Sequence, residues 1–319
     1  MKVLVTGAAG FLGSRVIQAL LANTGDGPHP SRIVAADFTP CPIADPRLDS
    51  RTGTIVDPAF IRSIVAPGVD VVFHLAAVLS GQSEAEFDVG MQVNVEATRN
   101  LLEACRALPR PPRFVFSSTV AVFGADLPDL VPEDSVLQPQ SSYGTAKAIT
   151  ELLVREYSRR GFVDGIACRL ATVTVRPGAP NSALSSFVSG IIREPLAGIE
   201  AVCPVPLDTR IWVSSPGVVT SNLIHAARVP ASALAGDVSV NLPGLTVTPA
   251  QMLASLERAG GAEARARVRC EVDPRAARIF ATWPGALDDR RARRLGFEGD
   301  RDVDEIVRQY IEVDRVPWR

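Results

Sequence analysis

Through the first 170 residues, unbroken apolar runs alternate with segments whose apolar positions recur every three or four residues. Runs at 2–6, 32–37, 53–56, 70–75 and 113–118 are mostly Val, Ile, Leu and Phe, bounded by polar residues or glycine. Such runs predict strands covered on both faces, as a parallel sheet requires. Helices are predicted at 11–23, 58–66, 88–107 and 142–160, and in the third Val93, Ala97, Leu101 and Ala104 fall on one face. The βαβα order predicts an α/β fold built on a doubly wound parallel sheet with right-handed crossovers. Beyond residue 170 the pattern changes. Proline and glycine crowd 176–180, 195–206 and 215–217, and the segments become short and mixed. The expected organisation is a sheet domain over 1–170, to which about 212–242 returns, and a smaller lobe made mainly of 171–319.

Composition narrows the class. The chain has 319 residues, 46% hydrophobic and 21% charged, which suits a folded core rather than disorder. A formal net charge of −2 gives no whole-chain attraction to nucleic acid or to an anionic membrane. The basic cluster Arg290, Arg291, Arg293 and Arg294 stands beside Asp288 and Asp289, the pattern of a solvated helix face. Cys41, Cys105, Cys168, Cys203 and Cys270 are widely spread and odd in number, so reduced thiols are expected rather than a disulfide framework or a zinc site. No His/Cys/Asp spacing suggests a metal. Every long apolar stretch is interrupted before 18 residues, and the first strand begins at once, so neither a membrane span nor a signal peptide is expected. The cytoplasm is the expected location.

Candidate chemistry begins at Thr6-Gly7-Ala8-Ala9-Gly10-Phe11-Leu12-Gly13, between the first strand and the first helix. Glycines at such a turn let backbone approach a diphosphate, whose charge sits on the free N–H groups of the helix start. The second strand ends in Asp37, where a carboxylate would accept from the 2′ and 3′ hydroxyls of a ribose and repel a 2′-phosphate. That selects NAD over NADP; the plainer use of Asp37 is to cap the turn after its strand. Asp57 has two compatible uses, at an adenine edge and as the cap of the helix that starts at Pro58.

Tyr143-Gly144-Thr145-Ala146-Lys147 places a phenol and an ammonium at i and i+4, on one helical face. The cation favours phenolate, which can take a proton from a substrate hydroxyl while hydride leaves the same carbon. Upstream, Ser117, Ser118 and Thr119 end a strand with three hydroxyls, at the edge where open α/β sheets place ligands.

With these motifs in order, the chain resembles the extended short-chain dehydrogenase/reductase family almost from end to end. The matching positions are Thr6–Gly13, Asp37, Asp57, His74-Leu75-Ala76-Ala77, Asn94, Ser117-Ser118-Thr119, Tyr143 with Lys147, and Arg210-Ile211-Trp212-Val213. The resemblance implies a Rossmann fold and an NAD site formed by Gly7, Gly10, Phe11, Leu12, Gly13, Asp37, Asp57, Leu75, Ala76, Ala77, Asn94, Tyr143 and Lys147. It implies Tyr143 as general base, Lys147 as its electrostatic partner, and Thr119 as the hydroxyl that binds the reacting oxygen. Ser118 is the alternative for that last role; Thr119, five residues before Gly124, fits the family pattern better. In this family the His-Leu-Ala-Ala segment lies along the cofactor, while His74 itself reads first as a packed, hydrogen-bonded histidine.

More closely, Leu75–Gly81, Gln140–Gly144 and Ser185–Leu196 resemble the D-erythronate dehydrogenases, a subgroup that oxidises the C2 hydroxyl of a four-carbon sugar acid with NAD. Ala171 departs from that subgroup, where a proline is expected before Thr172. The resemblance makes Arg210 the partner of the substrate carboxylate, against the plainer reading of a surface arginine on a strand. Ser80, Asn181 and Ser185 are candidates for the substrate hydroxyls, beside Thr119 and Tyr143. Val120 and Ala121 follow Thr119 where sugar dehydratases of this fold carry an Asp-Glu pair. Epimerases need several cations for a diphosphate, and 176–211 supplies few. The family also implies a homodimer through helices 88–107 and 142–160, with Met91, Val95, Leu102, Ile149, Leu152 and Leu153 as the second apolar surface.

Overall fold

The computed structural model describes residues 1–22, 29–65, 68–124, 126–178 and 185–314, so Asn181 lies outside the described residues. In chain order the first elements are β1 (Lys2–Thr6), α1 (Phe11–Ala22), β2 (Arg32–Asp37), β3 (Leu48–Thr52), α2 (Pro58–Val65) and β4 (Val71–His74). A helical stretch follows as α3 (Ser80–Ala85), α4 (Phe87–Met91), a π-helical turn at Gln92–Glu96 and α5 (Ala97–Arg106). Next come β5 (Arg113–Thr119), α6 (Ser142–Arg159), β6 (Asp164–Leu170), β7 (Thr172–Val173), α7 (Ser186–Leu196), β8 (Ala201–Cys203) and β9 (Ile211–Ser214). The chain ends through α8 (Pro216–Ala226), β10 (Ser239–Asn241), β11 (Leu245–Val247), α9 (Pro249–Ala266), β12 (Val268–Cys270), α10 (Pro274–Phe280), α11 (Arg290–Arg294) and α12 (Val303–Gln309).

The chain divides into two units, one of Met1–Thr119, Ser141–Arg169 and Thr220–Val240, the other of Val120–Gln140, Leu170–Val219 and Asn241–Arg319. The first holds a seven-stranded sheet of order β10-β6-β5-β4-β1-β2-β3. Strands β3, β2, β1, β4 and β5 are parallel neighbours. The order reverses between β1 and β4, and in an open α/β sheet the crevice beyond the carboxyl ends at that reversal is where ligands bind. Leu4, Val34, Val72, Phe114 and Phe116 are buried with Ile61, Ile64, Leu101 and Val154 from the helices, which covers the sheet as its unbroken apolar runs demand. The second unit carries a three-stranded sheet (β11-β9-β7), a two-stranded one (β12-β8), and its own core around Ile191, Ile192, Val213, Leu253 and Leu256. Residues 120–140 and 212–219 belong to this second unit rather than the first. No helix among the described residues is long and apolar enough to cross a membrane.

Three local expectations need correction. The third strand is Leu48–Thr52, not 53–56. It is an edge strand bonded only to β2 and largely exposed, so it needs no apolar run, and the Gly53 N–H already bonds Asp37 O (2.8 Å) in the turn. Helix 88–107 is broken by the π turn, which adds a residue to the period and moves Val93 off the buried face. That face is Asn94, Val95, Ala97, Thr98, Leu101, Leu102 and Cys105. Val95 and Leu102 are therefore buried in their own unit, and of the six residues expected on a second apolar surface only Leu152 is strongly exposed, at 60%.

Candidate active site

The glycine turn is built by exclusion. Gly7 has φ +72°, and a Cβ there would lie 2.7 Å from Ala76 N; a Cβ on Gly13 would lie 2.0 Å from Gly7 O. Turn, helix start and the Leu75-Ala76 backbone thus meet at distances only glycine permits. Gly10 N–H bonds Gly7 O (3.1 Å), after which α1 begins at Phe11 and buries Gly13, Val16, Ile17 and Leu20 on one face. The first turn of an α-helix has no intrahelical partners for its N–H groups, so Phe11, Leu12 and Gly13 present donors suited to a diphosphate. Asp37 is buried at the end of β2, with Oδ2 accepting from Ala9 N (2.9 Å) and Oδ1 from Phe38 N (2.7 Å). Its carboxylate is anchored to the turn and keeps lone pairs for hydroxyl donors. A dinucleotide therefore fits the cradle and donor set present here. Asp57 O accepts from Ile61 N and its Oδ1 from Ala59 N (2.8 Å), the helix-capping role.

The segment after β4 is clamped from beneath. Asn94 Oδ1 accepts from Val78 N (2.9 Å), and its Nδ2 donates to Val78 O (3.1 Å) and Ser83 Oγ (3.3 Å). Asn94 thus acts on the Leu75–Val78 stretch by holding its backbone. Ser80 is buried at the first residue of α3. His74, also buried, bonds Thr6 Oγ1 through Nδ1 (2.7 Å) and Thr98 Oγ1 through Nε2 (2.8 Å). Burial, with Lys147 nearby, pushes its pKa down to about 3, so it is a neutral packing residue at ordinary pH.

Helix α6 starts at a capped end, where Ser141 Oγ accepts from Gly144 N (3.1 Å). One turn in, Lys147 is 2% exposed; its Nζ donates to Ser117 O (2.8 Å) and lies 5.7 Å from the centre of the Tyr143 ring. Burial pushes its pKa down to about 7, against the pull of Glu151. Tyr143 is half-buried, as is Thr119 at the end of β5. Ser118, by contrast, gives its hydroxyl to buried Glu151, and Ser117 gives its own to His74 O (3.1 Å). Both serine hydroxyls are thus engaged within the first unit, and Thr119 faces the side of the strand opposite to Ser118. The first unit thus brings together the glycine turn, Asp37, Leu75–Ala77, Thr119, Tyr143 and Lys147. A phenolate at Tyr143, favoured by the neighbouring ammonium, could take a proton from an alcohol. Glu151, Arg169, Thr98 and Ser239 support the site without having been singled out; Glu151 alone left a signal, four residues after Lys147.

In the second unit Arg210 Nη1 pairs with Asp129 Oδ1 (2.9 Å), with side chains 42% and 100% exposed. Ser185 stands at the N-cap of α7 without a side-chain cap bond. Of the basic cluster on α11, Arg290 and Arg293 pair with Asp288 and Asp289, and Arg291 with Glu133. No group of three or more metal-binding side chains occurs among the described residues.

A family profile described as the NAD dependent epimerase/dehydratase family matches residues 3–210. The D-erythronate dehydrogenase of Cupriavidus necator is 47% identical over 318 residues, covering 98% of each chain. That of Haemophilus influenzae is 43% identical over 317 residues, covering 98% of this chain and all of the relative (100%). A crystal structure described as the nucleoside-diphosphate-sugar epimerase from Agrobacterium tumefaciens superposes with a TM-score of 0.93 at 38% identity, covering 98% of this chain and 94% of that one.

Proposed function

The chain belongs to the NAD dependent epimerase/dehydratase family, and we propose that it oxidises the C2 hydroxyl of a small sugar acid, D-erythronate, to the 2-oxo acid with NAD. The observation that carries this reading is the Tyr143–Lys147 pair, whose ammonium is buried against the strand that ends in Thr119.

In this reading Thr119 and Tyr143 hold the substrate hydroxyl, and Tyr143 removes its proton as the phenolate. Lys147 stabilises that phenolate and, from the end of its side chain, bonds the nicotinamide ribose. Gly7, Gly10, Phe11, Leu12 and Gly13 hold the diphosphate, Asp37 the adenosine ribose, and Asp57 the adenine edge. Leu75, Ala76 and Ala77 flank the dinucleotide, with Asn94 fixing them. Bound NAD supplies the hydride acceptor. Arg210 takes the substrate carboxylate, and Ser80, Asn181 and Ser185 its remaining hydroxyls. Val120 and Ala121 offer no acid for elimination, which disfavours a dehydratase. The working form in this reading is a cytoplasmic homodimer joined through helices 88–107 and 142–160, for which the exposed Leu152 on α6 is the supporting observation.

The test is turnover by the purified protein. NADH formation with D-erythronate, more efficient with NAD than NADP, is expected, and UDP-glucose should be inert. Interconversion of UDP-glucose without net NADH, and no oxidation of D-erythronate, would replace this reading with a sugar-nucleotide epimerase.

A further inference from the structure

One helical turn beyond Lys147, Glu151 is 2% exposed and saturated with donors. Its Oε1 accepts from the Ser118 hydroxyl and from Arg169 Nε (3.1 Å); its Oε2 accepts from Arg169 Nη2 (2.9 Å) and Ser239 Oγ (3.2 Å). The four residues come from α6, β5, β6 and β10, and all are buried. A buried ion pair gives little net stability over apolar residues of the same volume. Its position here supplies another use. Ser117 O holds the Lys147 ammonium, and the next residue, Ser118, is held by Glu151. The end of β5 is therefore fastened to α6 at two successive residues, which leaves Thr119 turned to the opposite side of the strand.

We propose that Glu151, clamped by Arg169, is a positioning residue of the dehydrogenation: it fixes the end of β5 against α6 and holds Lys147 as an ammonium beside Tyr143. This rests on the roles given above to Tyr143 and Lys147. The groups around the ammonium bear the proposal out electrically. From α6 it is faced by Tyr143 and Glu151, from β5 by the Phe116 ring and Ser117 O, and from β4 by His74. Around Glu151, β6 contributes Arg169 and Cys168, and β10 contributes Ser239. His74 is neutral, burial pushes the Cys168 thiol up to about 12, and Arg169 is a cation; Glu151 is the anion that opposes the loss of the Lys147 proton.

The experiment is the pH profile of kcat/KM for NAD-dependent oxidation of D-erythronate. Glu151→Gln keeps the side chain's size and an acceptor for Ser118 but removes the charge. Its high-pH limb, where Lys147 loses its proton, should move to lower pH by about one unit, as expected for deleting a charge one turn away. Glu151→Asp should restore most of the shift. If Glu151→Gln does not fold, the double variant Glu151→Leu with Arg169→Met removes both buried charges at similar volume, and its limb should also move. A limb fixed in every folded variant, while stability alone falls, overturns the proposal. Tyr143→Phe, run alongside, separates the two failures. If it keeps full turnover, the site assignment has failed; if it loses turnover while the Glu151 limb stays fixed, only the role of Glu151 has.

Discussion

Lys147 and Arg210 each reach an oxygen at hydrogen-bond distance, 2.8 Å for Ser117 O and 2.9 Å for Asp129 Oδ1, in opposite surroundings. Lys147 is sealed inside the first unit, tied to a strand end and one turn from a carboxylate that is itself fully bonded. Arg210, in the second unit, is paired across 81 residues with an aspartate whose side chain is wholly exposed. A dehydrated charge with fixed neighbours is costly to hold and retains one geometry. An exposed ion pair contributes little, so its arginine can exchange one carboxylate for another at small cost. The first arrangement suits a group whose orientation decides a rate, the second a group that greets an incoming anion.

The strongest way to break this contrast is at the phenol. Tyr143→Phe keeps the ring and deletes the oxygen that would take the proton. Loss of a general base lowers rate by about 100-fold to 10,000-fold, and kcat should fall by that much while NAD binding, followed by quenching of protein fluorescence, holds. Near-normal turnover would remove the rate-setting role from the first unit.

Arg210→Met tests the other side with a smaller effect. A charge-assisted bond worth roughly 1.5–3 kcal/mol corresponds to a 10-fold to 100-fold rise in KM for D-erythronate, with kcat little changed. Erythritol, which lacks the carboxylate, serves as the control substrate. Equal losses on acid and polyol would mean that Arg210 supports the second unit's structure and not substrate charge.

The same contrast marks what could be read from the chain. In the first unit the decisive spacings are short: a turn between strand and helix, a tyrosine and lysine on one face, hydroxyls at a strand end. Local geometry makes such patterns visible, and the strands there are apolar because both faces are covered. β3 escaped because an edge strand can be polar, and the π turn escaped because it changes a helical period without changing composition. The engagement of Ser118 left no local trace either: its partner Glu151 stands 33 positions away, and Arg169, which clamps Glu151, a further 18. Arg210 is the same case: its pairing with Asp129 has no local trace.

The smallest effect concerns the buried histidine of the first unit, and its sign follows from the bonds it makes. Thr98 Oγ1 donates to Asn94 O (2.9 Å), so it accepts from His74 Nε2–H. Nδ1 then accepts from the Thr6 hydroxyl, whose oxygen takes the Ala76 N–H (3.4 Å). Protonating Nδ1 would set two donors against each other in a buried site. With the folded pKa near 3 and the ordinary value 6.5, the unfolded chain binds a proton between those values that the folded chain refuses. Stability from this residue is therefore complete above pH 6.5 and drains away as pH falls toward 3. Between pH 7.5 and 5 the loss is about 2 kcal/mol, read as a lower urea midpoint. His74→Gln retains a donor and an acceptor without titrating, so over the same interval its midpoint should fall less by that amount, although it starts lower. Parallel curves for the two proteins would mean that His74 takes up its proton in the folded state, and that the first unit is less dehydrated around its charges than the contrast with Arg210 requires.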